Sequence, residues 1–144
     1  MSADEVLGQL RRFLLVLSVM LFLGGLAELW LVGHTEDAIQ WIAFALCAIG
    51  GLTAIARVLK PNRATLWMLR VAMLVVIMGS MFGVYEHLTG NLEFEREIQA
   101  NAATSTLLWK ALKGGNPLLA PGILSIAAIL ALSATYRHQV TARI

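Results

Sequence analysis

"FLLVLSVMLFLGGLAELWLVG", residues 13–33, is an apolar run that carries one charge, Glu28. Hydrocarbon offers no partner to a backbone N–H or C=O. A segment that crosses a bilayer therefore closes its hydrogen bonds internally, as helix, and needs roughly 20 apolar residues to do so. This run meets that length. So do residues 38–57, residues 65–87 with Arg70 as their one interior charge, and residues 117–136. The composition agrees. Of 144 residues, 58% are hydrophobic and 14% charged, against about 25% charged in a soluble domain. Mean hydropathy is +0.74.

These features predict an all-α membrane protein: a four-transmembrane-helix bundle forming one integral membrane domain over residues 1–144, with a short amphipathic outer segment at residues 92–113, between the third and fourth spans. Gly25-Leu26-Ala27 fits a signal-peptide cleavage pattern. The run before it is longer than a signal core, and Asp4 and Glu5 balance Arg11 and Arg12, so the first span reads as retained.

Short-loop Lys and Arg stay on the cytoplasmic side. An inside N-terminus puts Arg11, Arg12, Arg57, Lys60, Arg63, Arg70, Arg137 and Arg143 there, and only Arg96, Lys110 and Lys113 opposite. Both termini are thus expected in the cytoplasm of a bacterial inner membrane. Trp30, Trp41, Tyr85 and Trp109 would mark the outer headgroup level and Trp67 and Tyr136 the inner one.

Local signals place the helix ends. "SADE" at residues 2–5 is a capping box that starts the first helix early, and Lys60-Pro61-Asn62 makes a tight turn. In "GGNP", residues 114–117, the glycines stop one helix, Asn116 caps the next and Pro117 takes its first position. Small residues let membrane helices approach closely. Gly25, Gly50, Gly79 and Gly83 are the expected packing positions, with Gly79-x-x-x-Gly83 as a motif. Phe94, Ile98, Ala102, Ser105, Leu108 and Leu112 recur near helical spacing and define the apolar face of the outer segment.

The candidate chemistry gathers at the outer end. "GVYEHLTGNLEFEREIQ", residues 83–99, holds His87 and four glutamates. An intramembrane carboxylate is costly, which makes Glu28 a functional candidate. With Glu86, His87 and His34 nearby in the topology, carboxylate and imidazole together suit a transition-metal ion, to which Glu93 or Glu97 could fold down from the outer segment. No HxxxH or CxxC spacing supports the site. Haem would want two facing histidines within the bundle, whereas His34 and His87 sit at the outer boundary and His138 on the other side.

A lone carboxylate in the first of four short helices resembles the small multidrug transporters, which use one for protons and cationic drugs. That resemblance implies proton-coupled transport through Glu28. The sequence departs from the pattern in placing the acid near the outer boundary and in the long segment before the fourth span.

Catalysis finds no support: Cys47 is a single thiol in mid-span, and no phosphate loop, serine elbow or zinc-protease motif occurs. The net charge of +2 comes from boundary residues, which excludes a nucleic-acid surface. The expected role is a small polytopic accessory protein with an acidic, His-containing outer cap, its partners being the bilayer and a second copy or another membrane protein.

Overall fold

The computed structural model describes residues 1–136; Arg137, His138 and Arg143 lie outside them. The described chain is all-helical. α1 spans Ala3–Leu31, a single 3₁₀ turn Ala38–Gln40 leads into α2 (Trp41–Leu59), and α3 (Arg63–Ile98), α4 (Thr104–Ala111) and α5 (Leu119–Ser133) follow.

The helix starts have visible causes. Ser2 Oγ accepts from the Glu5 N–H at 3.2 Å, and the Glu5 carboxylate accepts from the Ser2 N–H at 2.9 Å, so α1 begins at the capping box. Asn62 and Thr65 exchange the same pair of bonds at the start of α3, and Thr65 Oγ1 also donates to the Lys60 carbonyl at 2.6 Å. That knot sets the short α2–α3 turn.

α1, α2 with its leading 3₁₀ turn, and α3 are long and apolar enough to cross a membrane; α5 is apolar but has 15 residues. α1, α2, α3 and α5 pack as a ring in which α1 and α3 are diagonal, while α4 lies on α3 alone. The antiparallel course defines two ends. Glu28 and Glu86 mark an acidic end; Arg11, Arg57 and Arg70 mark a basic end.

Packing is inverted relative to a soluble protein. Met20, Leu52, Met68, Leu74, Met78 and Ile126 point outward, a face that water would drive inward. Inside, Phe22, Leu69, Met73 and Val76 are buried beside small and polar groups at the helix contacts. Ser18 donates to the Ala127 carbonyl at 2.9 Å, and Ser125 donates to Ser80, which donates to the Pro121 carbonyl at 2.6 Å. The Phe22 ring lies on Gly50, Leu46 on Gly79, Pro121 on Gly83, and Cys47 and Leu124 on Gly25.

Two expectations are corrected here. The outer segment expected over 92–113 is divided: α3 continues through its first part to Ile98, a helix of 36 residues, and a separate short helix, α4, occupies Thr104–Ala111. At about 1.5 Å per residue α3 is roughly 54 Å long and outlasts any hydrocarbon layer. Gly90 costs only about 1 kcal/mol and Thr89 bonds back to the Tyr85 carbonyl, so nothing breaks it. α4 then packs through Leu107 and Ala111, and Phe94, Ile98, Leu108 and Leu112 are exposed. The second half of the "GGNP" reading also fails: Asn116 does not cap α5 and Pro117 is not its first residue. α5 starts at Leu119, with Leu118 rather than Asn116 at the N-cap position and no side-chain cap.

A Cβ on Gly50 would sit 2.5 Å from the Phe22 ring, whereas one on Gly24 would meet nothing within 4 Å. Gly50→Ala should therefore destabilise the detergent-solubilised protein by about 1–3 kcal/mol. Gly24→Ala should be neutral or stabilise by up to about 1 kcal/mol. Thermal unfolding of the two variants beside wild type checks this.

Candidate functional site at the acidic end

α1 stops where Gly33 adopts φ +68°. Its N–H donates to the Trp30 carbonyl at 3.2 Å and the His34 N–H to the Leu29 carbonyl at 3.0 Å, the two bonds of a Schellman turn. The reversal folds His34 back toward the bundle. On α3, Glu86 and His87 follow one another, and His87 Nδ1 meets the Pro117 carbonyl at 3.0 Å. A carbonyl only accepts, so Nδ1 is the donor in this contact. The His34 and His87 rings lie 6.4 Å apart, centroid to centroid.

Residues from four segments thus meet around one cavity of about 440 Å³. Glu28, His34, Glu86 and His87 line it, and it reaches past Glu28 to Gly25, Cys47 and Leu124. Its remaining wall is mostly apolar, with Leu29, Ile42, Leu46 and Phe82. Glu28 is exposed, and His34, Glu86 and His87 are half-buried. No Lys or Arg pairs with Glu28 or Glu86 among the described residues; the Glu95–Lys110 contact, at 4.0 Å, lies outside the cavity.

The four candidate ligands share the cavity without forming a chelate. Among the described residues no three His, Cys, Asp or Glu side chains are grouped to hold a metal ion. Glu93 and Glu97 do not fold down: they stay on the outward continuation of α3, exposed and off the cavity wall.

Asn91 is the residue that sequence reasoning missed. Buried on α3, it donates through Nδ2 to the Ala111 and Asn116 carbonyls at 3.0 and 2.9 Å, and its Oδ1 accepts from the Asn116 N–H at 2.9 Å. One amide thereby fixes α4 and the 112–118 turn, including the Pro117 carbonyl that holds His87. Gly114 lies against the Asn91 amide so closely that a Cβ there would collide with it. The signal available was an amide on a helix facing "GGNP", and no spacing rule connects positions so far apart.

Comparison with protein-family models, curated proteins and solved structures found no match.

Replacing Asn91 by Ala removes three hydrogen bonds at about 1 kcal/mol each and leaves their backbone partners unsatisfied. A loss of roughly 2–3 kcal/mol is expected, with faster amide hydrogen exchange over residues 104–118 while α1 and α2 exchange as in wild type.

Proposed function

We propose that this chain is a small polytopic membrane protein of accessory type, spanning the membrane four times as one domain, that holds a small lipophilic cation in its outer-end cavity. The observation that carries the reading is the meeting of Glu28 and Glu86, neither paired to a cation of the described chain, on one largely apolar cavity. Two carboxylates attract positive charge, and the surrounding leucine, isoleucine and phenylalanine side chains offer an apolar body a surface to cover. Its volume of about 440 Å³ lies within the usual range for a small-molecule site, about 300–1,000 Å³. A chelated transition metal suits the site less well, since no three ligands are grouped among the described residues.

The membrane reading draws on three helices of spanning length and the outward apolar faces. α5 serves as the fourth span with its flanking turns. Exposed Trp30, Trp41, Tyr85 and Trp109 at the acidic end, and Trp67 and Tyr136 at the basic end, match two headgroup belts. The charge bias then puts the basic end and both termini in the cytoplasm of a bacterial inner membrane. Gly25, Gly50, Gly79 and Gly83 meet side chains of their own bundle, so their packing calls for no second copy or partner subunit.

Tetraphenylphosphonium is a suitable probe. Purified wild type should bind it saturably, and Glu28→Gln or Glu86→Gln should each weaken binding roughly ten-fold, the order of one lost charge contact near a protein surface. Equal binding by all three proteins overturns the cavity reading. So does stoichiometric zinc, copper or iron that disappears in the Glu86→Ala/His87→Ala protein, which would reinstate a metal site.

Orientation has its own check. In a Cys47→Ala background, Lys113→Cys should react with a membrane-impermeant maleimide added to intact cells, and Lys60→Cys only after permeabilisation.

A further inference from the structure

At the basic end, a groove of about 650 Å³ runs between α1 and α5. Leu7, Leu10 and Leu14 form one wall and Leu132 another, with Arg11 and Arg70 between them. Leu7 and Leu10 are exposed, so the groove opens on the outer face of the ring. Arg70 is held from behind: its Nε and Nη2 donate to the hydroxyl and carbonyl of Thr135 at 3.2 and 3.0 Å. Arg11 Nη2 donates to the Tyr136 carbonyl at 2.7 Å, while its buried Nε has no hydrogen-bond partner among the described residues. No Asp or Glu of the described residues lines the groove.

Two guanidiniums, Arg11 and Arg70, face one groove whose described lining holds no carboxylate, and like charges so placed favour an anion between them. We propose that the groove binds an anionic phospholipid, its phosphate between Arg11 and Arg70 and an acyl chain along Leu7, Leu10 and Leu14. The occupant follows from complementarity on both counts. Guanidinium donors match phosphate oxygens, and the wall below them is alkyl surface facing outward. Basic pockets between membrane helices on the cytoplasmic side take anionic headgroups for this reason. The inference uses the membrane placement above but not the cation cavity, which lies at the other end.

The test titrates full-length, delipidated protein in detergent with phosphatidylglycerol, phosphatidylcholine and inorganic phosphate, read by native mass spectrometry. Wild type should bind phosphatidylglycerol about thirty-fold more tightly than phosphatidylcholine, the ordinary worth of two basic residues at an anionic surface. Inorganic phosphate at millimolar concentration should not displace it, lacking an acyl chain; displacement would overturn the lipid as occupant. Arg11→Gln/Arg70→Gln should abolish the preference and Arg11→Lys/Arg70→Lys should retain most of it. If the double Gln variant does not purify folded, Arg11→Gln alone carries the test, with about a five-fold loss expected. Equal binding of both lipids by wild type, or a preference that survives removal of the arginines, overturns the proposal. A preference that appears only once residues 137–144 are deleted makes the chain's own tail the occupant and overturns it equally.

Discussion

The Phe22 ring rests on the bare backbone of Gly50, and the separation of α1 from α2 follows from that contact. Phe22 is fully buried, yet no cavity had to be opened for it, since the space is made by a missing side chain on the facing helix. Leu46 over Gly79 repeats the device between α2 and α3, and Pro121 over Gly83 repeats it between α3 and α5. Where backbones come this close, hydroxyls reach across to carbonyls, as Ser18 does to Ala127. Between membrane helices such bonds contribute only about 0.6 kcal/mol on average, so the fit of large side chains on glycines carries more of the stability.

Much of this was legible because it is local or periodic. Residues 13–33 announce a helix by length and hydropathy alone, and the Ser2–Glu5 box locates its start within a residue. What the sequence hides is non-local. Glu86 looks like the end of a span because hydropathy falls there, but a fall in hydropathy ends only the apolar part; the helix runs on while nothing breaks its backbone. For that reason α3 takes in the first part of the expected outer segment, and Glu93 and Glu97 stay on it, off the cavity wall. Asn91 is hidden differently. Its bonds are to backbone groups 20 and 25 positions away, which have no residue identity to betray them.

The two ends of the bundle solve opposite electrostatic problems. At the basic end, charges from α1, α2 and α3 converge, and the chain's own carbonyls at Thr135 and Tyr136 and at Asn62 absorb part of the donor capacity. At the acidic end Glu28 and Glu86 find no such partner among the described residues, and both line one cavity.

That space has a structural origin in unequal helix lengths. α5 has 15 residues, about 22 Å at the usual rise, while its neighbour α3 has 36. The shortfall is set at the acidic end, where Pro121 falls in the first turn of α5 and has no N–H to spare. The Pro117 carbonyl four residues earlier receives no N–H from it; it accepts from the Ala120 N–H at 3.3 Å and meets His87 Nδ1 at 3.0 Å. A proline in the first turn of α5, an imidazole on α3 and an amide at Asn91 that anchors the intervening turn together leave room above Gly25 and Leu124. Extending α5 by one more helical turn would fill the mouth of that cavity, so the chemistry at this end depends on a helix that begins late.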